Sequence, residues 1–278
     1  MTTNSEKTTK TIIVNRDSSK ANGIYYPGKP KEYKPLPVVI DDINLLYKKT
    51  SVSIIIPAIN EEQNLPHVLP RIPNDYEVIM VDGHSSDRTL ELAKELRPDI
   101  RILWQPGRGK GDAMRYGFKH AKGDIIVTFD ADGSFDSDEI PSYVNSLLNG
   151  CDLVKGSRFL RGGATIDMPW HRRFGNRVLT IVANILYGTK YTDLVYGFHA
   201  FKREALEKLE LESDGFEIDS ELYLKAKKAG LKIKEIPSFE NKRIYGKGKL
   251  RSIKDGWKIL KIIVAGRIRY HKFSVNYS

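Results

Sequence analysis

The 278-residue sequence has a single cysteine, Cys151. No intramolecular disulfide can form, so the chain is expected in a reducing compartment, its fold held by packing alone. Cys151, in "NGCDLV", reads as a buried structural thiol rather than a nucleophile. No apolar run reaches the roughly 18 residues that suggest a membrane-spanning helix. The opening "MTTNSEKTTK" lacks the apolar core of a secretory signal, so the expected location is cytoplasmic. The six histidines show no H-x3-H spacing, and zinc is not expected. Acids are scarce in the tail. From residue 241 onward there are eleven Lys/Arg and one acid, Asp255, so this stretch carries the whole formal charge of +10. So focused a positive field suits an anionic partner: phosphate groups, nucleic acid or an acidic lipid surface. The plain alternative is a solvated basic tail.

Residues 1–50 are rich in Lys, Thr, Pro and Asn without a sustained period, and "YYPGKPKEYKPLP" reads as an extended or poorly ordered arm. From residue 51 the pattern changes. Apolar, β-branched runs at 52–56, 76–81, 100–104, 124–129 and 151–155 suit buried parallel strands. Helical stretches at 61–69, 86–96, 110–121 and 138–148 lie between them. The alternation predicts a doubly wound α/β sheet with helices on both faces. Further helices are expected at 172–188, closed by Gly188, and at 219–230, capped by Asp219 or Ser220 and stopped by Gly230. "LKIKEIP" alternates like a strand. The expected organisation is an arm over 1–50, a catalytic domain over 51–240, and a basic loop with an amphipathic helix over 241–278.

Ligands in such sheets bind beyond the carboxyl ends of the strands. "FDADGSFD" lies at one such end. Asp130 and Asp132 can converge on a hard cation whose shell is completed by nucleotide phosphates and water; the alternative is an Asp-Gly turn that ends the strand. Asp136 reads as part of that turn and Asp138 as the cap of the next helix. "QPGRGKGD" offers three glycines with Arg108 and Lys110 before a helix, an arrangement that lets backbone amides approach an anion. It is neither a Walker A loop nor G-x-G-x-x-G. In "VDGHSSDRT", Asp82 ends a strand and either accepts hydrogen bonds from a ribose or base, or serves a turn whose Ser85, Ser86 and Asp87 cap a helix. His84 reads as a surface loop residue.

Taken together, "SIIIPAINEE", "VDGHSSDRT", "GRGKGDAMRYGF", "GDIIVTFDADGSFDSDEIP", "VKGSRF", "DLVYGFHAFKREAL" and "GFEIDSELYLKAKKAG" resemble the family 2 glycosyltransferases of GT-A fold, over roughly residues 51–260. "GSRF", "YGFHAFKREAL" and "KRIYGKGKL" resemble the polyprenyl-phosphate branch, typified by dolichyl-phosphate mannosyltransferases. The resemblance implies a UDP- or GDP-linked sugar donor and Mg2+ or Mn2+. It places Pro57, Ala58, Asn60 and Glu61 in the first nucleotide-binding loop, Asp82 at the base, and Lys110 and Gly111 under the nucleotide. It makes Asp130 and Asp132 the metal pair. Arg158 falls near the phosphates, and Arg243, Lys247 and Lys249 in a late basic loop that receives the acceptor phosphate. Two departures stand out. Gly133-Ser134 replaces the branch's usual Leu-Gln, which raises Ser134 as a possible further metal ligand, and Gly248 stands where Ser is usual.

The implied reaction is inverting attack on the anomeric carbon of a nucleotide sugar, with cations stabilising the departing diphosphate. A lipid phosphate is already ionised near neutral pH, its second pKa being about 6, and needs no general base. A sugar hydroxyl does. The resemblance places Glu217, Asp219 and Glu221 of "GFEIDSEL" where many family members carry such a base, Asp219 being the choice here with helix N-cap as its alternative role, and "KRIYGKGKLR" offers five cations in ten residues for an anionic acceptor. Ile253, Trp257, Leu260, Val264 and Ile268 recur at helical spacing among Lys254, Lys258, Lys261 and Arg269. Such a helix can lie in an anionic membrane interface at the cytoplasmic face or dock on the domain. The expected partners are a nucleotide sugar, a polyprenyl phosphate and an anionic lipid surface. The tail lacks the aromatic repeats that stack on nucleic acid, so none is expected. The alternatives are a transferase using a small phosphorylated acid or sugar hydroxyl, and a nucleotide-binding module without catalysis.

Overall fold

The structure is a computed structural model that describes residues 50–274, with side chains as far as Ile268. The arm expected over residues 1–50 lies outside the described residues except for Thr50, as does the side chain of Arg269.

A seven-stranded sheet forms the centre. Its strands are β1 (Val52–Ala58), β2 (Glu77–Asp82), β3 (Arg101–Trp104), β4 (Ile125–Thr128), β5 (Leu153–Ser157), β7 (His199–Lys202) and β8 (Ile233–Pro237), in the order β3-β2-β1-β4-β7-β5-β8. Neighbours pair in parallel except β7, which runs antiparallel to both β4 and β5. β6 (Ala164–Thr165) and β9 (Phe239–Glu240) form a separate two-stranded ribbon.

Both faces are covered, which explains the unbroken apolar runs. On β1, Ile54 and Ile56 join the core under α1 (Leu65–Val68), α2 (Thr89–Leu96) and α4 (Ile140–Leu148). Ile55, pointing the other way by the twofold period of a strand, joins the core under α3 (Lys110–His120), α5 (Trp170–Tyr187), α7 (Ile218–Lys228) and α8 (Ser252–Ser274). A short helix, α6 (Arg203–Leu206), follows β7. The stretch expected as a helix at 61–69 is helical only over Leu65–Val68 before a 3-10 turn, because Pro66 and Pro70 supply no N–H to extend it. Gly188, at φ 62°, closes α5 as expected.

Two expected caps differ. Asp136, not Asp138, caps the turn ahead of α4: its carboxylate accepts from the Asp138 amide and from Arg71. Glu217 occupies the cap position of α7, and Asp219 lies within the first turn without a capping hydrogen bond.

α8 packs against α5 and α7, sinking Ile259 and Ile263 into the core, each contributing about 2 kcal/mol by burial. Tyr187 Oη donates to the Ile263 carbonyl, and Lys258 pairs with Glu217. Docking leaves Ile253, Trp257, Val264 and Ile268 exposed on the outer face of α8. Among the described residues no helix is long and apolar enough to cross a membrane.

Candidate active site

One cleft of about 1080 Å³ runs along the carboxyl ends of β1 and β4 and continues between α5 and α8. At its polar end, Pro57 and Ala58 at the end of β1 and Glu61 beyond it face Arg108 and Gly109 before α3, Lys110 at its start, and Asp130 and Asp132 after β4. Lys110 is the first residue of α3, and its ammonium reaches into an acidic cluster: 3.0 Å to Asp130 and 3.6 Å to Asp219. β7 makes room for it. Because β7 runs backwards, Gly197, two residues ahead of it, lies beside the end of β4, where its carbonyl accepts from Thr128, and a Cβ there would come to 2.5 Å from the Lys110 Nζ. Burial pushes the Asp130 carboxyl up to about 6 against the pull of Lys110, with Asp132 and Asp219 pushing the same way. The flanking carboxylates hold the Lys110 ammonium above its usual range in spite of its burial.

Asp132 meets a second cation. Its Oδ2 accepts from Arg243 at 3.1 Å, and its Oδ1 accepts from the Ser134 amide at 3.0 Å. Arg243 also donates to Glu61, whose other oxygen lies 3.5 Å from Lys249. Residues 241–251 thus form a strap across the polar end. Its backbone is held as well: Asn241 and Ile244 amides donate to the Ser134 and Asp132 carbonyls, and the Asn64 carboxamide pairs with both the amide and the carbonyl of Tyr245.

Asp219 projects from the first turn of α7 into the cleft, its side chain only 5 % exposed. Burial raises its carboxyl above the usual range. Lys110 faces Oδ2, while Oδ1 has no hydrogen-bond partner. Behind it, His199 Nδ1 lies 4.0 Å from Oδ1 and hydrogen-bonds the Tyr223 hydroxyl instead. Burial pushes His199 well below the usual imidazole range, which keeps it neutral.

The far end of the cleft is apolar. Phe174, Val178 and Leu179 of α5 face Ile253, Trp257 and Leu260 of α8. Arg172 stands at the junction of the two ends and ties the strap to α8 through the Leu250 carbonyl and Ser252 hydroxyl.

Several expected residues have other tasks. Arg158 lines the cleft, but four of its five N–H groups are engaged by Asp193, Glu240 and the Val195 carbonyl. It anchors a buried charge network rather than offering an open guanidinium. Asp82 is fully buried and outside the cleft lining; its carboxylate accepts from the Ser85 amide and hydroxyl. Asn60 is turned away, accepting from the Ser86 amide. Gly111 is buried against the Ser213 carbonyl, where a side chain would clash, and its amide donates to Asp214. Lys247 is exposed outside the cleft lining, whereas Lys249 lines it. Cys151 is half-buried against the core with a free thiol. His84, exposed as expected, also lines the cleft, with its ring nitrogen 3.0 Å from the Gln105 carbonyl.

The donor set can be tested against a divalent cation. Among the described residues no three His, Cys, Asp or Glu side chains gather as a metal cage. Asp130 and Asp132 are both cleft-lining oxygen donors whose charges repel one another, and each is held by a basic side chain. Two carboxylates and open space suit a hard cation that takes its other oxygens from phosphate and water.

Residues 53–210 match the model of Glycosyl transferase family 2. The chain belongs to this family. Among curated family 2 relatives, a dolichol-phosphate mannosyltransferase of Pyrococcus furiosus is 35% identical over 211 residues, covering 72% of this chain and 59% of that one. A low-salt glycan biosynthesis hexosyltransferase of Haloferax volcanii is 31% identical over 229 residues, covering 79% of this chain and 54% of that one. The chain thus spans between half and three fifths of these relatives' lengths. Among solved structures, glucosyl-3-phosphoglycerate synthase from Mycobacterium tuberculosis in complex with Mn2+, UDP and phosphoglyceric acid superposes with a TM-score of 0.65 at 19% identity, covering 81% of each chain. The fold is the family's GT-A fold.

The sequence reading missed Asp193 and Glu240, which hold Arg158, and Asn64, which clasps the strap. It also missed the α5 side chains of the apolar end. Only these last carried a signal: Trp170, Phe174, Val178, Ile181 and Ile185 recur at helical spacing on a face that remains exposed.

Proposed function

We propose that the protein transfers a sugar, with inversion, from a UDP- or GDP-linked donor to a polyprenyl phosphate at a cytoplasmic membrane face. The continuous cleft carries this reading. Its polar end offers acids and cations for a nucleotide diphosphate, and its far end is lined mainly by apolar side chains, with Asn176 and Asp255 among them. A phosphate at Arg172, Arg243 or Lys249 would let an isoprenoid chain lie along Phe174, Leu179, Trp257 and Leu260.

The name of the Pyrococcus furiosus relative points the same way for the acceptor, and Mn2+ and UDP in the solved structure of the same fold support the donor and metal. Asp130 and Asp132 would hold Mg2+ or Mn2+, which supplies charge neutralisation to the leaving diphosphate. Ser134, in the cleft beside them, is the remaining oxygen within the same loop. Lys110, 3.0 Å away, orients Asp130 for that task. The acceptor phosphate is its own nucleophile, so basic side chains need only position it. The exposed apolar faces of α5 and α8, flanked by Arg173, Arg177, Lys254 and Lys261, fit an anionic bilayer surface.

The test is an acceptor screen with UDP-glucose and GDP-mannose, offering a short polyprenyl phosphate in anionic liposomes against 3-phosphoglycerate in solution. Product on the lipid is expected. Transfer to 3-phosphoglycerate alone, with no flotation on anionic liposomes, would overturn the reading.

A further inference from the structure

A second groove, of about 570 Å³, shares no lining residue with the cleft. It runs between the outer side of α3 and the chain that follows β7. Its floor is apolar: Phe118 from α3, and Leu206, Leu209 and Leu211 from the segment after β7. Its rim carries Arg115, Lys119 and Arg203 against Asp112 and Glu207, a net charge of 3 − 2 = +1. Arg115 and Asp112 lie 3.5 Å apart and offset one another, whereas Lys119 stands exposed.

The chain enters the described fold beside this groove. The Ser51 amide and hydroxyl donate to the Asp124 carboxylate at 3.1 and 2.8 Å. Asp124 also holds Arg203, whose guanidinium is 3.5 Å away and whose amide donates to the Asp124 carbonyl. Arg203 lines the groove, as does Ala121, three residues before Asp124. One carboxylate therefore stands between the root of the arm and the groove's rim.

The arm reaches that root through residues 36–47, "LPVVIDDINLLY". Eight of these twelve are apolar, Asp41 and Asp42 are acids, and none is basic. Left in water, the stretch would keep its apolar side chains uncovered. Tyr47 is three residues from Thr50, so at full extension it is within about 11 Å of it. A tether that short holds the stretch at high local concentration over the groove. The length also suits: α3 has eleven residues and is about 16 Å long, and twelve residues span about 18 Å even as a helix.

We propose that residues 36–47 of the arm dock in this groove. Their apolar side chains cover Phe118, Leu206, Leu209 and Leu211, and Asp41 and Asp42 turn towards Lys119 and Arg203. The docked stretch would also back the active site. The groove's other end is formed by Pro106 and Asp112, and Asp112 Oδ2 accepts from the Gly107 amide and the Gln105 carboxamide. Gly107 and Gln105 line the cleft, so the arm would brace that glycine loop from its outer side.

The test is photo-crosslinking of the full chain with p-benzoyl-phenylalanine in place of Glu207, an exposed rim position that leaves Lys119 and Arg203 intact. Peptide mass spectrometry of the irradiated monomer is expected to find an adduct within residues 36–47. The same probe in place of Glu91, exposed on α2 across the sheet, is expected to give none there. Adding Ile43→Asp with Leu46→Asp to the Glu207 probe should lower the adduct at least fivefold.

An adduct that joins two copies of the chain would overturn the proposal in favour of a dimer contact. So would a Glu207 probe that marks no residue of the 36–47 stretch, or that marks it no more than the Glu91 probe does. A yield unchanged within about twofold by the two aspartates would show that the apolar side chains do not hold the arm. None of these readings depends on the donor or the acceptor.

Discussion

At the polar end of the cleft, Lys110 pairs with Asp130 and Asp219 and Arg243 pairs with Asp132; the aspartates and Lys110 are set by a strand end or the first turn of a helix, Arg243 by the strap. At the apolar end, Phe174, Val178 and Leu179 of α5 and Ile253, Trp257 and Leu260 of α8 line most of a trough that also carries Asn176 and Asp255. On the proposed function, the first end would meet charge that develops at fixed atoms, so its geometry would tolerate little displacement. The second would need only to keep water from a chain of methylenes, which depends on area rather than angle. The two ends should therefore fail differently when altered.

The largest contrast should come from Asp132→Ala, which removes one of the two carboxylates proposed to hold the metal. Transfer is expected to fall by at least about a thousandfold with either a lipid or a water-soluble acceptor, measured with radiolabelled donor. Comparable activity would remove Asp132 from the chemistry. Next, Phe174→Asp with Trp257→Asp should raise KM for the polyprenyl phosphate by about tenfold or more, while donor hydrolysis in its absence stays within about twofold. Equal loss of both would mean that the two ends are not separable. The smallest effect concerns Arg243. Because it occupies Asp132, its removal in Arg243→Ala should tighten Mn2+ binding by a few-fold, about threefold to tenfold, as an internal competitor is lost. Mn2+ titration followed by electron paramagnetic resonance reads this without turnover; weaker binding in the variant would make Arg243 a supporter of the metal rather than its competitor.

How legible each end was in the sequence follows from the same contrast. The strands β1, β2, β4 and β5 and the glycine stops Gly188 and Gly230 were readable because local periodicity and turn chemistry determine them. Asp130, Asp132 and Lys110 were readable because they sit at strand ends and helix starts. Arg158 was misjudged because its partners, Asp193 and Glu240, are 35 and 82 residues away, and no local pattern announces them. β7 went unread because the four residues "HAFK" are too few to show a strand period, whereas its central place depends on pairing with both β4 and β5. Asp82 looked available because a strand-end acid does, until the Ser85 turn folds back on it. The tail was read in part: the outward stripe of α8 was visible, but not that Ile259 and Ile263, one position off that stripe, would dock it.

The strap between β9 and α8 is eleven residues long and fastened at both ends, to Ser134, Asp132 and Asn64 through backbone groups and to Arg172 near α8. Most of those fastenings read the main chain, so its path depends on how many residues it has more than on which they are. It works as a ruler. Each residue of extended chain spans about 3.5 Å, so adding or deleting a single one would shift Arg243 and Lys249 by roughly the length of the ion pairs they make. The spacing between the charged and apolar ends is thereby written into the number of residues from 241 to 251.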